Sequence, residues 1–345
     1  MTALQVIWWL LVGVLLTVFV VLDGFDLGVG FWQLFTRNER EKQALVRSVG
    51  PVWDGNEVWL LTGAGALFAA FPPVYATVFS GLYLAMMLLL FALILRAVSL
   101  EFRNKLESAA WKGVWDKGFS VGSLLAALLL GIALGNILRG LPLDASGNYT
   151  GGFLDLLNGY ALLVGALGLA MLLTHGALYI ALRTEGDLHH RALGWARRSW
   201  VGTLGLALAA AVSTWIFEPQ LLRNHHELWL LWCLPLLALL LLALIGFQVA
   251  RKRVGWAFAT SSATITAHLA TAGASLFPNL VPALDPSGPS LTLANSSSSP
   301  TTLLSMLGLA LLGMPLVIGY TLWTYRTFSG KISTSGPLPP GPSSY

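Results

Sequence analysis

Long apolar runs recur along nearly the whole chain, and each is long enough to cross a lipid bilayer as a helix. A spanning helix needs roughly 17 to 25 apolar residues, because the hydrocarbon layer is about 30 Å thick. Membrane barrels instead consist of short strands with alternating polarity. The runs predict nine transmembrane helices, approximately at residues 5–35, 50–71, 75–98, 118–139, 153–183, 197–217, 227–248, 255–277 and 301–328.

The composition agrees with this prediction, since 56% of the 345 residues are hydrophobic and only 10% are charged. Such a chain has too little polar surface to cover a soluble globule. We therefore expect an all-α, multi-pass membrane protein with one transmembrane domain, residues 1–330. A flexible cytoplasmic tail, residues 331–345, is expected to follow it. The serine-rich outer loop at residues 278–300 is also predicted to be flexible and too polar to pack.

The basic residues predict the orientation, because Lys and Arg collect in short cytoplasmic loops. With the N-terminus outside, eighteen of the twenty basic residues fall on the inner side. These are Arg37, Arg40, Lys42, Arg47, Arg96, Arg103, Lys105, Lys112, Lys117, Arg183, Arg191, Arg197, Arg198, Arg251, Lys252, Arg253, Arg326 and Lys331. Only Arg139 and Arg223 remain outside. The basic charge thus reflects topology and gives no reason to expect nucleic-acid binding.

Two pairs of acidic residues lie within the predicted spans, which is costly in a bilayer and points to function. Asp23 and Asp26 occupy the inner half of the first helix, and Asp54 and Glu57 lie in the first two turns of the second. Each pair is spaced i, i+3, which sets its two carboxyls on one helix face. The hairpin between the helices brings these faces within reach, so the four carboxyls are expected to converge near the cytoplasmic side.

Two interpretations of these acids remain open. Carboxyls in an apolar site take and release protons near neutral pH unless a cation pairs with them, which is what a proton relay requires. Alternatively, Asp54 and Glu57 complement the positive end of a helix dipole, and Asp23 and Asp26 bind a neighbouring helix. Arg96, at the inner end of the third span, is either a positive-inside anchor or the cation that pairs with the acids.

Metal and cysteine chemistry find little support in the sequence. The single cysteine, Cys233, lies in a predicted helix and cannot form an internal disulfide. His175 and His268 lie in predicted spans and could in principle ligate one haem as a pair, but no repeated pattern supports this. The other histidines, predicted to lie in solvated loops, are His189, His190, His225 and His226.

Several motifs together resemble subunit II of the cytochrome bd quinol oxidase family. They include "WWLLVGVLL", "DGFDLGVG", "GPVWDGNEVWLL", "GALFAAFPPVYA" and "FSGLYLAM" in the first third of the chain. The resemblance continues through "GIALGNILRG", "RTEGDLH", "WAFATSS" and "PLVIGYTLWTY". At Glu57 the sequence resembles the cyanide-insensitive branch, since many members carry glutamine there.

The resemblance implies one subunit of a heterodimer in the bacterial inner membrane. The partner, subunit I, is expected to bind two b-type haems and one d-type haem, to oxidise quinol and to reduce oxygen to water. No cofactor or metal is expected on this chain, whose other expected contacts are small accessory subunits, lipids and quinone. The resemblance also implies a proton-uptake branch through the aspartates at Asp54 and Asp23, with Asp26, Glu57 and Arg96 as further candidates. A passive scaffold and a proton-coupled secondary transporter are the alternatives.

Overall fold

The computed structural model describes residues 1–285 and 287–333, which form a bundle of long helices. In chain order the helices are α1 (Ala3–Trp32), α2 (Glu39–Val49), α3 (Trp53–Ala70), α4 (Pro72–Gly81), α5 (Tyr83–Phe102), α6 (Ala109–Arg139), α7 (Gly159–Arg183), α8 (Gly186–Phe217), α9 (Arg223–Glu227), α10 (Cys233–Ala250), α11 (Val254–Leu276), α12 (Leu293–Ser296) and α13 (Pro300–Thr327). Two short strands, β1 (Asn279–Val281) and β2 (Leu291–Thr292), pair antiparallel.

The expected class, an all-α membrane protein, is confirmed. Within the described residues, seven helices are long and apolar enough to cross a membrane, namely α1, α5, α6, α7, α8, α10 and α13. The other two predicted spans correspond to α3 and α11. These have 18 and 23 residues, so at a rise of about 1.5 Å per residue they extend about 27 and 35 Å. Acids in α3 and the many Ser and Thr side chains of α11 make both less apolar.

Several helix boundaries differ from the predicted ones. Helix α6 begins at Ala109 rather than near 118, and α8 begins at Gly186 rather than near 197. Helix α2, a short amphipathic helix in the connection between α1 and α3, was not predicted. A hydropathy average along the sequence detects only the apolar part of a helix, so it did not detect these polar turns.

One end of the bundle carries a packed layer where the sequence predicted a flexible loop, and that prediction is wrong. The β1–β2 strand pair and α12 lie within residues 278–300. Val281, Leu291 and Leu293 are buried. The Ser298 backbone N–H donates to Ala70 O at 2.9 Å, which fixes the loop to the end of α3. Paired backbone groups and buried apolar side chains therefore offset the polarity of the serines.

The opposite end of the bundle gathers the connections that hold most basic residues. Here the Ile332 backbone N–H donates to Arg183 O at 2.7 Å, and Lys331 lies 3.9 Å from Glu185. The first residues after α13 therefore lie beside the α7–α8 connection. The remainder of the predicted tail, residues 334–345, lies outside the described residues.

Helix α1 lies against α3, α6 and α7 in the interior of the bundle. Its contact with α7 is especially close at Gly28, where an added Cβ would stand 2.8 Å from the Cα of Gly176. Small residues permit such approach between membrane helices. The close packing leaves residues 23–30 of α1 entirely buried.

Candidate functional site

Asp23 and Asp26 lie in this buried part of α1, and both are 0% exposed. Their i, i+3 spacing points both carboxyls into the space between α1, α3 and α5, as the sequence predicted. Arg96 reaches the same space from α5 and is also 0% exposed. Asp23, Asp26 and Arg96 thus share one buried site. Together with Glu57 of α3, we call these residues the acid cluster.

Arg96 binds Asp23 through both of its terminal nitrogens. Its Nη1 donates to Asp23 Oδ2 at 2.6 Å, and its Nη2 donates to Asp23 Oδ1. The Glu57 Oε2 lies 4.0 Å from Arg96 Nη2, and the Arg96 guanidinium carbon lies 5.9 Å from the centre of the Trp53 ring. Arg96 is therefore the cation of the cluster rather than an anchor at the membrane surface.

Asp26 has different partners, which sequence reasoning missed. The Asn56 side-chain amide donates to Asp26 Oδ2 at 2.7 Å, and the Tyr325 hydroxyl donates to Asn56 Oδ1 at 2.8 Å. Asn56 is 1% exposed on α3, and Tyr325 lies on α13. Asn56 stands between Asp54 and Glu57 in the run "DGNEVW", and this polar position in a predicted span was the available signal.

Asp54 lies outside the acid cluster. It lies in the first turn of α3 with its side chain exposed on the surface of the chain, whereas Glu57, one turn further, has a side chain only 20% exposed. The predicted convergence therefore holds for Asp23, Asp26 and Glu57, with Asp54 at the edge of the group. The accessible carboxyl of Asp54 therefore lies one helical turn from Glu57, which belongs to the acid cluster.

A second buried ionic network lies nearer the end of the bundle that carries α2 and was not predicted. Asp116 on α6 accepts hydrogen bonds from Arg103 Nε at 2.6 Å and from Gln33 Nε2 at 2.5 Å, and Lys42 Nζ lies 3.0 Å from it. Arg103 also binds Glu39 at 2.9 Å. The network ties α2 to α6 and to the ends of α1 and α5, so it fixes the connection between α1 and α3.

The buried histidines do not fit paired haem ligation. His175 Nε2 donates to Val21 O at 3.0 Å, since a carbonyl can only accept, and His175 Nδ1 bonds Ser261 Oγ at 2.6 Å. Both ring nitrogens are therefore engaged within the chain. His268 lies about 10 Å further along α11 than Ser261, and its Nδ1 donates to Thr264 O at 2.8 Å. Among the described residues, no group of three or more His, Cys, Asp or Glu side chains is arranged to hold a metal ion.

The prediction of solvated loop histidines is wrong for His225, which lies on α9 with 1% of its surface exposed. Its ring packs against Trp232 with centroids 5.4 Å apart, and burial lowers the pKa of His225. His189 and His190 also differ, since they lie in the first turns of α8 rather than in a loop. Short apolar helices on either side of α9 cover His225, and hydropathy does not detect such packing.

An apolar cavity of about 380 Å³ lies between α1, α6, α7, α8, α10 and α11. His268, Tyr160 and Thr214 supply polar groups in a lining that is otherwise mostly Leu, Ala and Gly. The cavity reaches Gly24 of α1, but the acidic side chains of the cluster are not part of its lining.

Comparison with known proteins identifies the family. Residues 4–328 match the family model described as cytochrome bd terminal oxidase subunit II. The chain belongs to this family. Among related bd oxidase chains, cytochrome bd-I ubiquinol oxidase subunit 2 of Escherichia coli (strain K12) is 37% identical over 361 residues, which cover 96% of this chain and 95% of the relative. Cytochrome bd ubiquinol oxidase subunit 2 of Bacillus subtilis (strain 168) is 36% identical, with 98% and 99% covered.

A solved structure shares the fold of this bd oxidase subunit. The bd oxidase from Geobacillus thermodenitrificans contains a chain that superposes with a TM-score of 0.79 at 18% identity, covering 95% of this chain and 99% of that one. The family resemblance inferred from the motifs is confirmed. The chain is a subunit of an oxidoreductase, the respiratory cytochrome bd oxidase, in the bacterial inner membrane.

Proposed function

We propose that the chain is the second subunit of a heterodimeric bd-type quinol oxidase. Its partner, subunit I, carries two b-type haems and the d-type haem, and the pair oxidises quinol and reduces oxygen to water with four electrons. The match over residues 4–328 is the observation that carries this proposal. The engaged nitrogens of His175 support a division in which the partner ligates the haems. Accessory subunits, lipids and quinone are the further expected contacts.

The proposed topology has nine spans, with the N-terminus outside and the C-terminus inside. Its support is the separation of the two ends of the bundle. The N-terminal Gln5 donates to Ser297 Oγ at 2.6 Å at one end, and Ile332 pairs with the α7–α8 connection at the other. Most basic residues lie at the second end, which the positive-inside rule assigns to the cytoplasm.

Within the oxidase, this chain provides a branch for proton uptake from the cytoplasm through Asp54 and Asp23. Electrons that enter a buried centre need accompanying protons, because uncompensated charge in a medium of low dielectric constant is heavily penalised. The geometry that supports the branch is an exposed Asp54, a partly exposed Glu57 one turn deeper, and the buried Asp23 and Asp26 beyond it. Arg96 links Glu57 to Asp23.

The test replaces Asp54 with Asn in the assembled oxidase. Asn keeps the shape of Asp but cannot carry a proton, and an exposed site tolerates the change without loss of fold. Oxygen consumption per mole of haem d should fall several-fold, together with proton uptake from the inner side of proteoliposomes. The matched control is Asp187→Asn, an exposed acid in the first turn of α8. Full turnover and full uptake in an intact Asp23→Asn, Asp54→Asn double variant would refute the branch.

The alternative is a scaffold, and one observation favours it. The two-point pair between Asp23 and Arg96 crosslinks α1 to α5, which is a structural role for Asp23. A scaffold predicts that activity per haem is unchanged in every variant that assembles, Asp54→Asn included. A secondary transporter has less support, because its acids are expected near the membrane midplane and the family match is to an oxidase.

A further inference from the structure

A hydrogen-bonded chain crosses three helices at the acid cluster, from Tyr325 on α13 through Asn56 on α3 to Asp26 on α1. Asn56 Nδ2 has two N–H groups, and they donate to Leu22 O at 3.2 Å and to Asp26 Oδ2 at 2.7 Å. The Tyr325 hydroxyl donates to Asn56 Oδ1 at 2.8 Å. Every polar atom of the Asn56 side chain is therefore used.

These partners fix the direction in which the amide faces. A backbone carbonyl can only accept, so Leu22 O requires the N–H side of Asn56, and the remaining N–H must point at Asp26. The Tyr325 hydroxyl holds the other end of the amide. Asp26 Oδ2 is thus an acceptor in every protonation state of the cluster. Asp26 Oδ1, which is also buried, accepts no hydrogen bond from the residues that the structure describes.

The charges of the cluster do not balance when all of its acids are ionised. Both oxygens of Asp23 are bound by Arg96, so this one cation is matched by one anion. Asp26 and Glu57 are surplus, and Asp26 is fully buried whereas Glu57 reaches the surface. A surplus buried anion is strongly unfavourable unless a proton neutralises it. Asp26 is the group at which a proton relieves the most electrostatic strain.

We propose that Asp26 is the proton-loading carboxyl of this subunit, that its transferable proton resides on Oδ1, and that Asn56 and Tyr325 are positioning residues for it. The carbonyl-type oxygen of a carboxylic acid is the better acceptor, so the amide of Asn56 keeps Oδ2 in that role. The proposal rests on the proposed proton branch and refines it, since Asp23 stays paired with Arg96 where the branch passes it and Asp26 carries the proton.

The proton step follows from the same contacts. When the branch delivers a proton onward, the Oδ1–H bond breaks and Asp26 becomes a carboxylate, stabilised by the amide N–H of Asn56. A proton from the Glu57 side then restores the acid, so one proton enters for each one that leaves. The other ionisable groups that face Asp26 are Tyr325 and, on α7, Tyr179, whose hydroxyl donates to Ser48 O at 2.8 Å.

The experiment uses the assembled oxidase with Tyr325→Phe, which removes one hydroxyl and keeps the ring. Tyr320→Phe is the matched control, because Tyr320 lies on the same helix and is 63% exposed. Redox-induced infrared difference spectra report the carbonyl stretch of a protonated carboxyl. Asp26→Asn should abolish the Asp26 band, and Asp26→Glu should move it. The second variant keeps the assignment possible if the first fails to assemble.

Without the hydroxyl of Tyr325, the amide of Asn56 is held less firmly and stabilises the Asp26 carboxylate less. The Asp26 band should move to higher wavenumber, and the alkaline limb of the turnover profile should shift upward by about half to one pH unit. Tyr320→Phe should change neither. If Tyr325 has only a scaffold role, Tyr325→Phe would lower the yield of assembled oxidase. The Asp26 infrared band and the alkaline limb of the turnover profile would then stay in place, which would overturn the proposal.

The outcome is distinguishable from failure of the branch itself. If no carboxyl band depends on Asp26 while Asp54→Asn still slows turnover, the branch stands and the role of Asp26 is refuted. If the Asp26 band is present and moves in Tyr325→Phe, but the Asp54 variants retain full turnover, the location of the proton stands and entry through Asp54 is refuted.

Discussion

Asp23 and Arg96 form a two-point ion pair in which neither side chain reaches the surface. Such paired N–H···O bonds between a guanidinium and a carboxylate are strong and directional. The contribution of the pair to stability is nevertheless measured by what remains when one partner is removed. A buried charge left alone costs about 3–5 kcal/mol, whereas removal of both charges is often close to neutral.

The substitution Asp23→Asn should therefore destabilise the assembled oxidase by about 3–5 kcal/mol, and the Asp23→Asn, Arg96→Gln double variant should recover much of this loss. Thermal unfolding and haem retention of the purified complex are the measurements. Asp54→Asn, at an exposed position of α3, is the control and should have a Tm near that of the wild type. An unchanged Tm in Asp23→Asn would contradict the pairing.

The sequence predicted most residues of this site, because a charge inside an apolar run is conspicuous. Asp23, Asp26, Glu57 and Arg96 were all identified in this way. Tyr325 was missed because it lies 269 residues from its partner Asn56, and nothing local marks a tyrosine in a membrane helix as the end of a hydrogen-bonded chain. Only the packing of α13 against α3 brings the two together.

At the scale of elements, hydropathy predicted the lipid-embedded helices and lost accuracy where the chain leaves the lipid. The first turns of α6 and α8 are helical despite their polar residues. The β1–β2 hairpin packs on the bundle although the segment is rich in serine. In each case backbone hydrogen bonds and a few buried apolar side chains decide the structure, and these depend on contacts that a sliding average along the sequence does not contain.

The short helix α9 gives a prediction that depends on pH. Burial lowers the pKa of His225 in the folded chain, so between the folded and unfolded values the unfolded state binds more protons. The corresponding contribution to stability is present above the unfolded value of about 6.5 and is lost as the pH falls. The Tm of the oxidase should therefore drop between about pH 7.5 and about pH 5.5, and His225→Phe should reduce this drop.

The control for this measurement is His190→Gln, since His190 is exposed on α8. It should retain the full drop of the wild type. Equal drops in His225→Phe and the wild type would show that protonation of His225 does not destabilise the fold.

At the scale of the whole molecule, the two ends of the bundle differ in charge and in architecture. One end carries the β1–β2 hairpin and the connection between α6 and α7, joined by a hydrogen bond of 2.9 Å from Leu141 N to Pro282 O. The other end carries α2, the ionic network around Asp116 and the residues that follow α13. The proposed topology rests on this charge asymmetry, which recurs in the connections along the chain.

Cysteine labelling of intact cells or spheroplasts tests the proposed topology. In a Cys233→Ala background, which removes the exposed native thiol, Ala294→Cys on α12 should react with an impermeant maleimide from outside. Ser329→Cys, just beyond α13, should react only after the membrane is opened. Both positions are exposed. Labelling of Ser329→Cys from outside would show that the C-terminus is external and that the count of nine spans is wrong.

The ion pair at the centre of the molecule also imposes an order on its biogenesis. Asp23 and Arg96 are 73 residues apart, which at ribosomal speeds of about 5–20 residues per second amounts to about 4–15 s of synthesis. During that interval α1 has left the ribosome without its counter-charge, and two carboxyls in its C-terminal half oppose its release into lipid. The first spans must therefore wait beside the insertion machinery, or hold their acids neutral, until α5 arrives to complete the pair.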